Sequence, residues 1–162
     1  WWLSEYASIE ALSCHCENTM KKQLLVLLSL LSGALPAADL EMTVYRSPTC
    51  SCCGRWLEHV KASGFKVKDI VSDDMDSIKE KSGVPEKLAS CHTAQVNGYV
   101  IEGHVPAADI QKLIASKAAV AGIAAPGMPL ASPGMETPGH LDDPYQVISF
   151  DKNQHTELFA NH

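Results

Sequence analysis

The sequence predicts a mixed α/β domain, and three observations carry the prediction. β-prone runs with alternating apolar residues occur at Leu40–Arg46 (LEMTVYR) and Phe65–Val71 (FKVKDIV). Between them lies a stretch of helical spacing, with Trp56, Leu57 and Val60 on one face. Further on, Asn97-Gly98 separates two more β-prone runs. That is a hairpin signal, because a type I′ turn needs positive φ at both central residues.

Taken in order, the first strand ends at a turn, Ser47-Pro48-Thr49. A helix from about Cys52 to Ser63 follows and stops at Gly64. After the second strand, Asp73 or Asp76 is expected to cap a helix ending at Gly83, and Pro85–Ala89 to add a helical turn. Thr93–Val96 and Tyr99–Glu102 then form the hairpin. A two-residue turn sets Val96 against Tyr99 and Thr93 against Glu102; unbroken pairing would set Cys91 against His104. Val105-Pro106 opens a last helix, with Ile110, Leu113 and Ile114 as its apolar stripe, to about Ser116. The order β-α-β-α-β-β-α over residues 40–117 is that of the thioredoxin-like fold. Residues 118–144 are rich in Ala, Gly and Pro and are expected to form a loop containing Pro126-Gly127-Met128 and Pro133-Gly134-Met135. Tyr145–Phe150 and Thr156–Phe159 read as an extra C-terminal β-hairpin, which either extends the sheet or packs elsewhere.

Composition narrows the function. The chain has 162 residues, 46% hydrophobic and 20% charged, which excludes wholesale disorder. Thirteen basic against nineteen acidic residues argue against a nucleic-acid binder, which would carry a basic face. Met20 is followed by Lys21 and Lys22, an apolar run Leu24–Leu31 and the small-residue stretch Gly33–Ala38. That is the order of a secretory signal peptide, over 20–38. The apolar run is shorter than the ~20 residues of a membrane-spanning helix, so no membrane association is expected after cleavage. A buried N-terminal core helix is the competing reading. Residues 1–19, with Cys14, His15 and Cys16, are expected to be a leader or an over-extended start. One domain, 39–162, would remain. Export to a bacterial periplasm places its four cysteines in an oxidising compartment.

Those four are Cys50, Cys52, Cys53 and Cys91. Cys50-Ser51-Cys52 is a C-x-C pair, and Cys50 and Cys53 form the C-x-x-C of redox centres between a strand and a helix. A helix start favours thiolate over thiol, which serves disulfide exchange and metal ligation alike. A purely structural disulfide would leave one of the three clustered thiols unpaired. Thioredoxins usually carry a cis-proline at the start of the third strand, where this chain has Ser90-Cys91-His92-Thr93. A general dithiol oxidoreductase is thereby disfavoured, and a fourth thiol aimed at the first three is favoured.

Thiolates suit Cu(I), and four thiolates alone also suit Zn(II). Structural zinc sites usually use two spaced knuckles. Adjacent Cys52 and Cys53 fit a single tetrahedral ion poorly and fit several bridged Cu(I) ions better. Around this set, His104 is a candidate ligand or supporting residue, His92 reads as a turn residue and His59 as a solvated helix residue. Met128 and Met135 are candidate soft ligands, although hydrophobes anchoring Pro-Gly turns are the plainer reading.

These motifs carry a resemblance. Tyr45-Arg46-Ser47-Pro48-Thr49-Cys50-Ser51-Cys52-Cys53-Gly54-Arg55-Trp56, Ser90-Cys91-His92-Thr93-Ala94 and Gly98-Tyr99-Val100-Ile101-Glu102-Gly103-His104-Val105-Pro106-Ala107 occur in this order. Pro126-Gly127-Met128-Pro129 and Ser132-Pro133-Gly134-Met135-Glu136 complete the series. Over roughly residues 41–150 the chain resembles the CopG-type periplasmic copper-handling proteins, long treated as a metal-binding domain of unknown function. The resemblance implies a thioredoxin-like fold, export, a link to copper resistance, and Cu(I) held on Cys50, Cys52, Cys53 and Cys91 with cycling to disulfides.

Three functions follow as expectations. The first is a copper-binding redox protein that holds several Cu(I) ions, with Cys50 and Cys53 as the catalytic pair by spacing and with periplasmic redox or copper-efflux proteins as partners. The second is a protein disulfide oxidoreductase. The third is a copper or zinc store or carrier whose thiols never form disulfides in service.

Overall fold

The structure is a computed structural model and describes residues 40–162. The leader and signal peptide expected over 1–38 lie outside the described residues.

Seven strands form one mixed sheet, in the order β2-β1-β3-β4-β5-β6-β7. β1 (Leu40–Arg46) and β2 (Phe65–Val71) pair in parallel, joined by α1 (Cys53–Ala62). Trp56, Leu57 and Val60 bury the face of α1 that the spacing predicts. The helix closes at Ser63, whose N–H reaches the carbonyls of His59 and Val60, and Gly64 turns the chain with φ 93°.

α2 (Met75–Lys81) is short, and its cap corrects the expectation. Asp74, rather than Asp73 or Asp76, accepts from the Ser77 N–H at 3.3 Å. The choice is steric: Asp74 stands three residues before Ser77, the capping distance. A 3₁₀ turn, Glu86–Leu88, lies in the predicted Pro85–Ala89 segment.

β3 (His92–Val96) runs antiparallel to β1 and pairs with β4 (Tyr99–Gly103) in the predicted register, Val96 to Tyr99 and Thr93 to Glu102. Asn97 and Gly98 take φ of 49° and 83°, as a type I′ turn requires. α3 (Ala107–Ser116) buries Ile110 and Leu113. Over residues 40–116 the elements therefore follow the predicted order.

Two features extend it. β5 (Gly122–Ala125), buried throughout, runs parallel to β4 inside the segment expected to be loop. Its small residues are a packing requirement. A Cβ on Gly122 would meet the Val100 carbonyl and lie 2.7 Å from the Phe150 ring. β6 (Gln146–Phe150) then pairs with β5, and β7 (Thr156–Asn161) with β6, so the last hairpin extends the sheet.

The main core lies on the sheet face covered by α1 and α3, where Trp56, Val60, Ile110 and Leu113 meet Val44, Ala94, Ile101 and Ile123. A smaller cluster of Leu88, Ala124 and Phe150 sits apart from it. Among the described residues no helix is long and apolar enough to cross a membrane.

Candidate metal centre

The β1–α1 junction carries three of the four cysteines. After β1 the chain turns on itself. The Cys50 N–H donates to the Ser47 carbonyl at 3.1 Å, and the Thr49 N–H donates to Ser47 Oγ at 3.3 Å. The helix begins at once, with the Arg55 and Trp56 N–H groups on the Cys52 carbonyl. Cys50, Cys52 and Cys53 are thereby gathered at one helix start. Cys53 is buried, whereas Cys50 and Cys52 are half-buried. Cys50 and Cys53 are joined through their sulfurs, with Cα atoms 5.6 Å apart, and Cys52 Sγ stands 3.6 Å from Cys50 Sγ.

Strand register delivers the fourth. β3 pairs with β1 so that His92 lies opposite Arg46, the last residue before the cysteine loop. Cys91 precedes His92 and so falls beside that loop. The four sulfurs lie within 4.8 Å of one another, Cys52 and its neighbour Cys53 included. Adjacency in sequence therefore does not keep these two apart. Cys52 and Cys91 are free thiols. Burial, reinforced by the nearby Cys52 sulfur, pushes the Cys91 thiol up to about 12. Without a cation in reach, Cys91 keeps its proton.

His104 meets this thiol just beyond the β3–β4 ladder, whose last pair is Thr93 and Glu102. Its Nε2 lies 3.1 Å from Cys91 Sγ, and its Nδ1 lies 2.8 Å from the Pro133 carbonyl. A carbonyl only accepts, so Nδ1 carries the proton and Nε2 turns its lone pair to the sulfur. Burial holds the His104 pKa below its ordinary value, against the raising effect of the Pro133 carbonyl. The ring is therefore neutral, the form that binds metals.

Two other histidines depart from expectation. His92 is fully buried rather than a turn residue at the surface. It lies 3.4 Å from Cys91 Sγ through Nδ1, its ring 4.2 Å from that of Trp56. Among the described residues its Nε2 has no hydrogen-bond partner in good geometry, and burial holds its pKa well below the usual histidine value. The signal was strand alternation: His92, Ala94 and Val96 share one face, and that face is the core. His59 is not a solvated helix residue either. Its Nε2 accepts the Ala107 N–H at 3.0 Å and so ties α1 to the first turn of α3.

Cys91, His92 and His104 form a second group whose donor atoms lie within 4.8 Å of one another. The chemistry of the combined set, soft sulfur with neutral imidazole beside it, fits a thiophilic ion such as Cu(I).

The Gly/Pro-rich segment packs against the first turn of α1, next to the cysteines. Arg55 Nε donates to the Gly134 carbonyl at 2.7 Å, and a Cβ on Gly134 would lie 2.6 Å from the Trp56 nitrogen. Met135 follows this contact and is half-buried. Met128 is exposed at its own turn, with φ of 49°.

Comparison with known proteins agrees with this geometry. Residues 88–135 match a family described as "Protein of unknown function, DUF411". No curated protein matches the chain. Two solved structures do, described as "Copper resistance protein copG- Form 2" and "Copper resistance protein copG- Form 1". Each matches at 44% identity with a TM-score of 0.72, over 76% of this chain and 98% of that chain. At that identity and coverage, with the four cysteines converging at one helix start, the chain belongs to the CopG copper resistance protein family.

Proposed function

We propose that the protein is an exported copper-binding thiol protein that holds Cu(I) on Cys50, Cys52, Cys53 and Cys91 and couples copper to disulfide formation. The observation that carries this reading is the convergence of four sulfurs within 4.8 Å. Thiolates suit Cu(I) and Zn(II) alike. The two relatives described as copper resistance proteins support copper over zinc. Export rests on the signal-like order over residues 20–38.

The redox half rests on Cys50 and Cys53. Closing their bond releases two electrons and two thiol protons, and two Cu(II) ions accept those electrons to become Cu(I). Opening the bond takes up two electrons from a reducing partner and restores the thiolates. Cys91, with its proton held by burial, is suited to ligation by an arriving cation rather than to unassisted attack on generic disulfides. Ser90-Cys91 at the start of β3, where thioredoxins usually carry a cis-proline, favours copper handling over a general disulfide oxidoreductase. His104 completes the sulfur set through Nε2, and Met135, half-buried next to the Gly134 contact with α1, is the better placed of the two methionines.

Anaerobic Cu(I) titration of reduced protein, with thiols counted before and after oxidation, tests the proposal. The reduced protein should take up more than one Cu(I) per chain, and Cys91→Ser should sharply weaken uptake. Full uptake by Cys91→Ser would refute the four-cysteine site.

A further inference from the structure

Glu102 is fully buried on β4, yet it is not among the candidate ligands. A carboxylate removed from water needs its donors in good geometry, and among the described residues Glu102 has three. Lys79 Nζ of α2 and the backbone N–H of Ser90 both reach Oε1 at 2.6 Å, and Thr93 Oγ1 donates to Oε2 at 2.7 Å. The Lys79 ammonium also lies 3.1 Å from Thr93 Oγ1.

The Ser90 N–H gives the network its direction, because the next residue is Cys91. Glu102 is also the first of three consecutive residues that hold the Ser90–Cys91 segment. Gly103 leaves room for the Ser90 side chain: a Cβ there would lie 2.5 Å from Ser90 Oγ and 2.8 Å from the Ala125 carbonyl. His104 meets the Cys91 sulfur itself at 3.1 Å. Glu102, Gly103 and His104, at the end of β4 and just past it, thus fix the backbone, the flank and the thiol of this segment. It bears the only one of the four cysteines not anchored at the helix start.

We propose that Glu102, paired with Lys79, is a positioning residue for Cys91: by accepting the Ser90 N–H it holds the fourth thiol against the other three. This rests on the copper reading of Cys91 above.

Replacing both charges together separates positioning from stability. A buried ion pair exchanged for apolar residues of similar size is commonly neutral or stabilising, so Lys79→Met with Glu102→Leu should fold. It nevertheless lacks an acceptor for the Ser90 N–H. Cu(I) affinity of the reduced full chain is read by competition with a colorimetric Cu(I) chelator. Reactivity of Cys91 in the reduced, metal-free chain is read by iodoacetamide labelling and mass spectrometry. The double variant should lose about tenfold in Cu(I) affinity, the size expected for residues that orient metal ligands, and its Cys91 should label faster than wild type. Glu102→Gln, which keeps an oxygen for the Ser90 N–H, should stay close to wild type in both readouts. Leu113→Ala, a core truncation on α3, should lower the melting temperature and leave Cu(I) competition unchanged.

Wild-type competition and labelling in the double variant would overturn the proposal, as would an equal loss in Leu113→Ala. Cys91→Ser run in parallel keeps the two readings apart. If it binds Cu(I) as wild type does, the copper site itself is wrong. If it weakens binding while the double variant does not, only the positioning role fails.

Discussion

The Pro133 carbonyl decides what His104 can offer Cys91. Because that oxygen accepts from Nδ1 at 2.8 Å, the lone pair of Nε2 faces the sulfur. The pair is then either a thiol hydrogen-bonded to imidazole or, once the thiol proton is displaced, two donors for one cation. His104→Phe, which keeps ring bulk and removes both nitrogens, should weaken Cu(I) competition by about 10–100-fold, the range for residues that ligate or orient ligands. Unchanged competition would reduce His104 to a hydrogen-bond partner of the free thiol. At this scale the cysteines were legible because their spacing is chemical information in itself. The facing of Cys91 and His104 was legible through the Asn97-Gly98 turn. The burial of His92 was missed because a polar residue beside a cysteine reads as a turn. Its place in the alternation with Ala94 and Val96 was the better guide. The orphaned Nε2 of His92 also shows that this buried ring is not fully satisfied by hydrogen bonds.

Elements bring these residues together through contacts that local sequence encodes unevenly. The cysteine turn and α1 follow from Ser47-Pro48 and the Trp56, Leu57, Val60 spacing, and both occur as the pattern predicts. β5 does not follow from any pattern. It is four residues long, buried on both faces and made of Gly, Ile and Ala, so it shows neither alternation nor β-branched enrichment. The loop contact at Gly134 is equally hidden, since only the tertiary structure shows its approach to Trp56. Gly134 has φ 84°, and its Arg55 contact fixes the segment whose Pro133 carbonyl orients His104. Gly134→Ala should therefore cost about 1–3 kcal/mol for a non-glycine residue at this φ, with the backbone collision in addition. Urea denaturation measures the loss. The same variant should weaken Cu(I) competition in the direction of His104→Phe, because the displaced carbonyl no longer orients the ring. Stability loss with unaltered copper competition would show that the loop braces α1 without orienting His104.

The molecule from residue 40 onward is organised by one sheet, and its two halves have different tasks. The β1–β4 half, with α1 and α3, carries every residue assigned to copper except those of the 126–136 loop. The β5–β7 half completes the sheet beside β4. It is tied back at its open end: Tyr145 and His162 exchange backbone hydrogen bonds at 3.1 and 2.9 Å, their rings stack at 4.8 Å, and His162 Nε2 meets Asp109 Oδ2 of α3 at 2.7 Å. Val147 and Phe150 are buried by this addition. Burial of two such side chains contributes about 3–6 kcal/mol, comparable with the ~5–15 kcal/mol that holds an ordinary domain together. Truncation after Asp143 also leaves β5 as an unprotected edge, with its hydrogen-bonding groups and apolar residues open to another chain. The shortened chain should show no cooperative thermal transition by circular dichroism and should aggregate, although every cysteine and histidine of the copper site remains in it. A cooperative melt within a few degrees of the full chain would mean that the β1–β5 portion folds alone and that the last hairpin is an accessory to a self-sufficient copper-binding core.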